Sequence, residues 1–315
     1  MNSYTSSSDV MPVSTGKRFV AVTAGLVVTI ALVFCAASEW LIRTHVAPNQ
    51  NIELHAEFLR RSTHPNAAFG DSHVAMGITG SDEIINLGFP ANTLNDIIGK
   101  ARIYFGRVPP GKVILQADPQ QLVPGRLNQS FEPDRPLFEG DGGLFRFLKL
   151  SVPVYRRGIL GHWETFLAGR PFTKLRQFNP EDGSQTATRN IADWTEEQVV
   201  ELSETILTDQ QDLAVDLSHP VLTRYLDLAK WIVAQGGQVC FASYPVDRTF
   251  YRMAAPDPTE QRSIDLFTHM ADEVGGRFVD FRTRDYPREL FFDPDHLTEE
   301  GGKVFTQAVL QACFD

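Results

Sequence analysis

The stretch Phe69-Gly70-Asp71-Ser72-His73 sets a serine in a Gly-Asp-Ser turn between an apolar run and a segment able to begin a helix. Asn66-Ala67-Ala68-Phe69 reads as a short buried strand, and Val74-Ala75-Met76-Gly77-Ile78 starts a helix whose amide N–H groups point back at Ser72, a setting suited to an oxyanion. A serine hydroxyl is a weak nucleophile and needs a base. Phe292-Asp293-Pro294-Asp295-His296-Leu297, close to the C-terminus, offers one. A turn joining Asp293 to His296 can set the carboxylate against Nδ1 and aim Nε2 at Ser72, which is the logic of a serine triad. Asp71 reads as a capping or loop-holding residue and His73 as structural.

Alternating strands and helices must carry these blocks. The spacing predicts strands at 67–69, 83–87, 112–116, 238–244 and 277–281, with helices at 93–105, 194–207, 221–234, 260–274 and 298–312. That alternation implies an α/β fold with a parallel sheet covered by helices. In such a sheet chemistry gathers at the carboxyl ends of the strands, where Ser72, Gly88, the 117–120 loop and the 244–248 loop all fall. Arg248 and Arg252, with Tyr244 and Tyr251, are placed to clamp a sugar carboxylate or stack on a pyranose ring, which makes Tyr244, Arg248 and Arg252 the expected substrate-binding residues. Residues 120–195 lose any clean period and read as an insertion over the site, a lid or substrate platform.

With 43% hydrophobic and 22% charged residues the 315-residue chain has an ordinary globular composition, enough for one large domain with insertions or two small ones. A net charge of -10 and no Lys/Arg cluster exclude a nucleic-acid surface. Three cysteines make no disulfide framework. A Cys240–Cys313 bridge is open in an oxidising compartment, but two buried free thiols are the expected state. No His/Cys grouping has metal-ligand spacing, so no metal is expected.

Residues 1–18 form a polar tail ending in Lys17-Arg18, and an uncharged run from Phe19 to Ser38 follows. Twenty such residues cross a bilayer. The cationic flank keeps the N-terminus in the cytoplasm and exports the rest, giving a single-pass anchor at about 19–42 in the inner membrane, a connecting helix at 43–64, and a domain at 65–315 in the periplasm or outside. Trp40 suits the interface. The competing reading is a cleaved signal peptide with Ala36-Ala37-Ser38 at its end. A lipoprotein signal at Cys35 is poor, because Phe34 stands where a small residue is required.

Gly70-Asp71-Ser72, Gly88 within Ile85-Asn86-Leu87-Gly88-Phe89-Pro90, and Asp293-Pro294-Asp295-His296 before a C-terminal helix resemble, in that order, the SGNH/GDSL hydrolase superfamily. Their embedding resembles the SGNH-like proteins of cell-envelope polysaccharide O-acetylation, such as that of alginate. The resemblance, over about residues 65–313, implies a three-layer α/β/α parallel sheet with a helical insertion, preceded here by one transmembrane helix. It also implies a catalytic Ser72, His296 and Asp293, an oxyanion hole from the N–H groups of Ser72 and Gly88, no cofactor, a polysaccharide substrate and a multi-span membrane acyltransferase partner. The family's third oxyanion donor is an Asn after the next strand, where Asp118 stands here, so Gln120, Gln116 or Asn92 must replace it or it is absent. The function classes left open are O-acetyltransferase, acyl esterase or deacetylase, and a non-catalytic glycan-binding subunit.

Overall fold

The computed structural model describes residues 13–140, 148–152, 155–156, 158–170, 177–186, 189–211, 217–255 and 258–315. The chain divides into two compact units, one of Met1–Asn49 with Phe147–Phe172 and the other of Gln50–Arg146 with Thr173–Asp315.

The first unit is built on the helix Val13–Leu41, prolonged by a wider turn at Ile42–Val46. Its stretch Phe19–Val46 spans 28 residues and holds an 18-residue window of mean hydropathy 2.6. At about 1.5 Å per residue that exceeds the ~30 Å hydrocarbon thickness of a bilayer. From Phe19 to Phe34 its large apolar side chains are exposed, as a membrane-crossing helix requires. Its far end is tied down: Leu41, Ile42 and Val46 pack with Val152 and Tyr155, and Glu39 accepts the backbone N–H groups of Lys149 (2.8 Å) and Leu150 (2.9 Å). The helix Ile159–Leu167 closes this cluster through Trp163, whose Nε1 donates to Ser38 Oγ at 3.0 Å. Residues 120–195, expected as one insertion forming a lid or substrate platform, are divided between the two units. Residues 148–170 belong with the end of the N-terminal helix, whereas Arg135–Glu139 packs on the helix Asn51–Arg61.

The second unit is α/β. Its strands in chain order are β1 (Ala67–Phe69), β2 (Ile85–Asn86), β3 (Lys112–Gln116), β4 (Gln177–Phe178), β5 (Gln185–Thr186), β6 (Gln238–Ser243), β7 (Arg277–Asp280), β8 (Phe291–Asp293) and β9 (His296–Leu297). β2-β1-β3-β6-β7 form a parallel sheet, and β4-β5 and β8-β9 are antiparallel pairs.

Side chains alternate across the sheet with period two. Ala67, Phe69, Val113, Leu115, Val239 and Phe241 join one core with the helices Leu94–Phe105, Pro220–Ala234 and Pro258–Val274. Ala68, Ile114, Cys240 and Ala242 face a second core with Val74 and the helix Glu299–Phe314. The result is three layers, α/β/α.

Cys240 and Cys313 lie in that second core and form a disulfide, with Cα atoms 5.6 Å apart, so the expectation of free thiols is corrected. The bridge ties the middle of the sheet to the C-terminal helix.

Counted along the chain, the sheet order is 2-1-3-4-5. Chain direction across the sheet reverses between β1 and β3, and the crevice at such a switch point is where open α/β sheets bind their ligands.

Candidate active site

Ser72 follows β1 at this switch point. Gly70 permits the turn: a Cβ there would fall 2.1 Å from Val74 Cγ2 and 2.5 Å from Gln116 Oε1. Asp71 caps the helix Ser72–Gly77 by accepting the His73 N–H at 2.9 Å, which leaves half-buried Ser72 on its first turn. Among the described residues nothing accepts from the Ser72 N–H.

The β8-β9 hairpin brings the other blocks. Its turn pairs Asp293 with His296, and Asp293 Oδ1 accepts the backbone N–H groups of Asp295 (3.2 Å) and His296 (2.8 Å), fixing the loop. The same carboxylate meets His296 Nδ1 at 2.9 and 3.1 Å, and His296 Nε2 lies 2.7 Å from Ser72 Oγ. Ser72, His296 and Asp293 thus stand in line, an arrangement in which an imidazole can take a proton from a serine hydroxyl. Burial opposes a charge on His296, but Asp295 and Asp293 outweigh it and push its pKa up to about 9.

Behind this line is a second, buried ionic cluster that sequence reading missed. His73 Nδ1 is 3.0 Å from Asp118 Oδ2, and its Nε2 is 3.4 Å from Asp295 Oδ2. Asp295 Oδ1 lies 3.1 Å from His296 Nδ1. Burial disfavours the charge of Asp295, yet His296 and His73 hold its carboxyl well below the usual range. Asp71 Oδ2 accepts from Gln120 Nε2 (3.0 Å), Gln121 Nε2 (3.0 Å) and Arg126 Nη2 (2.7 Å), while Gln116 Nε2 donates to Asp71 Oδ1 (2.8 Å) and Asp118 Oδ2 (2.6 Å). Burial again opposes ionisation of Asp71, and His73 and Arg126 overcome it. Asp118, an obstacle if aimed at an oxyanion, turns instead to His73, Gln116 and the Tyr244 N–H (2.9 Å). The signal in the sequence was a surplus of Asp and Gln at strand ends that the triad did not use.

Of the expected oxyanion donors, Gly88 and the side-chain amides are corrected. The Gly88 N–H donates to Asn86 Oδ1 at 2.8 Å, and the glycine serves close packing, since a Cβ would fall 2.6 Å from Ala75 N. The amide of Gln120 is turned to Asp71, those of Gln116 to Asp71 and Asp118, and that of Asn92 to Gly70 O at 2.7 Å. Ala91, held at φ 62°, makes the turn that aims Asn92 there.

Of the expected substrate-binding residues, Tyr244 is corrected: it is 1% exposed and packs on Phe305. Arg248 and Arg252 line a cavity of about 440 Å³ with Arg288, Glu196, Asp285 and Tyr286. That cavity adjoins the β8-β9 hairpin, because the Asp247 N–H donates to Pro294 O at 2.7 Å.

His73, Asp295 and His296 bring donor atoms within 4.8 Å of one another, a spacing compatible with a cation. Both His296 nitrogens are engaged by Asp293 and Ser72, however, and both His73 nitrogens face carboxylates, so the group is an ion-pair cluster.

No family model matches the chain, and no curated protein matches it. Among solved structures the chain is similar to that of LAE5, an alpha/beta hydrolase enzyme from the metagenome of Lake Arreo, Spain. The two are 13% identical with a TM-score of 0.36, over 78% of this chain and 93% of that one. So loose an overlap places no residue of one on the other.

Proposed function

We propose that the chain is a membrane-anchored, SGNH-like O-acetyltransferase that modifies an envelope or secreted polysaccharide through an acyl-serine. The observation that carries the reading is the line from Ser72 Oγ to His296 Nε2 (2.7 Å) and from Nδ1 to Asp293 (2.9 Å), set at the switch point of a 2-1-3-4-5 parallel sheet. Ser72 Oγ attacks the donor carbonyl as Nε2 takes its proton, and the tetrahedral oxyanion meets the Ser72 N–H. Collapse expels the donor's leaving group, which takes the proton back from His296. A sugar hydroxyl, activated the same way, then receives the acyl group. Water in its place gives an esterase.

The uncharged helix following Lys17-Arg18 supports an inner-membrane anchor with the second unit exported, and the Cys240–Cys313 bridge suits an oxidising compartment. One span moves no acyl group across a bilayer, so a multi-span membrane acyltransferase is the implied partner.

A second reading, a non-catalytic glycan-binding subunit, is favoured by one observation: every side-chain amide expected at the oxyanion hole is engaged elsewhere. Product analysis separates the readings. The purified chain is given a small acetyl ester with and without an oligosaccharide acceptor. Transfer yields acetylated sugar by mass spectrometry, hydrolysis that no glycan intercepts leaves an esterase, and no turnover at all leaves the binding subunit.

A further inference from the structure

His296 Nδ1 faces two carboxylates rather than one, Asp293 at 2.9 Å and Asp295 at 3.1 Å. Both charges favour the imidazolium, which has no free lone pair at Nε2 with which to take a proton from serine. Asp295 does not exert its charge on His296 alone. Its second oxygen, Oδ2, lies 3.4 Å from His73 Nε2, and the other nitrogen of that ring lies 3.0 Å from Asp118 Oδ2. A neutral imidazole has one N–H, which would leave its bare nitrogen facing a carboxylate lone pair to lone pair, whereas an imidazolium donates to both. The His73 side chain is 4% exposed, and the two rings meet edge to face with centroids 5.1 Å apart.

We propose that His73 is a positioning residue for the base: a buried imidazolium, clamped between Asp118 and Asp295, that offsets part of the charge Asp295 exerts on His296, with Asp293 as the orienting acid. This rests on the reading of Ser72 as nucleophile and His296 as base. The groups facing His73 are Asp118 from the end of β3, Asp295 from the β8-β9 turn, Asp71 on its own turn, Gln120 across the ring, and the His296 and Tyr244 rings. Those facing His296 are Asp293, Asp295, His73 and Ser72. Burial weighs against the cation, and Asp118, Asp295 and Asp71 together carry the His73 pKa well above its ordinary value.

The test follows the rate at which a fluorophosphonate labels Ser72 in the full-length protein as pH is varied. His73→Gln removes the cation and is expected to move the half-maximal pH up by about one unit, a tenfold loss of rate at fixed pH on the acid side. Asp295→Asn is expected to move it down by a similar amount, and the double variant to follow Asp295→Asn, since His73 acts through that carboxylate. A folded His73→Gln protein whose profile overlays the parent's overturns the proposal, as does a double variant that follows His73→Gln. Should His73→Gln not fold, nitrogen NMR of the unsubstituted protein decides: both His73 ring nitrogens are expected to be protonated near pH 7, and a neutral ring overturns the proposal. Absence of Ser72 labelling in the parent overturns the nucleophile reading instead.

Discussion

Ser72 Oγ and His296 Nε2 stand 2.7 Å apart although 224 residues separate them in the chain. One opens the short helix after β1, the other opens the second strand of the β8-β9 hairpin before the last helix, and the three-layer packing between brings a hydroxyl to an imidazole. A base so close is useful only when it is neutral.

His296 has a pKa near 9, so below that pH its Nε2 already holds a proton. We expect kcat/KM on a small ester to rise with pH with unit slope and to level off above about 9. The same raised value adds stability that is complete below the unfolded His value near 6.5 and is lost as pH rises through 9. A flat rate profile from pH 6 to 9 would contradict this protonation state.

The two carboxylates on Nδ1 are expected to differ in role. Ser72→Ala costs roughly 10⁶-fold in a well-built triad and loss of the acid roughly 10⁴-fold. Asp293→Asn is expected to cost less than that, because Asp295 Oδ1 still lies 3.1 Å from Nδ1. Steady-state kinetics on the folded variants checks it, and an Asp293→Asn loss equal to that of Ser72→Ala would contradict it.

The disulfide closes a sequence separation of 73 residues. Loop-closure entropy of that size contributes about 4 kcal/mol. Cys313→Ala should lower the melting temperature by many degrees, and a reductant should lower that of the parent but not of the variant. An unchanged melt in both would place the stability elsewhere.

Much of the fold was legible because it is local. Lys112–Gln116 carries a buried apolar run, and Leu94–Phe105 opens on a capping box from Thr93 and Asp96, so both elements follow from neighbouring residues. Ser72 and the Asp293-to-His296 turn were legible for the same reason. The cluster behind them was not: His73, Asp118 and Asp295 come from three separate elements, and nothing in one stretch says that their side chains converge. Tyr244 misled because it directly follows β6, and a place just past a strand does not say which way a side chain turns. Gly88 misled because a glycine that frees an N–H and one that lets a helix approach read alike. The bridge was within reach of the alternation of β6, which puts Cys240 on the face that the last helix covers.

The anchor has its own test. A reporter fused after residue 60 is expected to be active outside the cytoplasm, and the chain to remain in the membrane fraction at full mass, since the N-terminal helix holds an 18-residue window of mean hydropathy 2.6 within a 28-residue stretch. Soluble protein beginning near Ser38 would establish a cleaved signal instead.

The central claim is that Ser72 is a nucleophile driven by His296. Its most direct test is treatment of the full-length protein with a fluorophosphonate probe at about pH 9, where the base is half deprotonated, followed by peptide mass spectrometry. We expect one modified residue, Ser72, and loss of labelling in a folded His296→Ala variant. An unmodified Ser72, or labelling that persists undiminished without His296, would contradict the account.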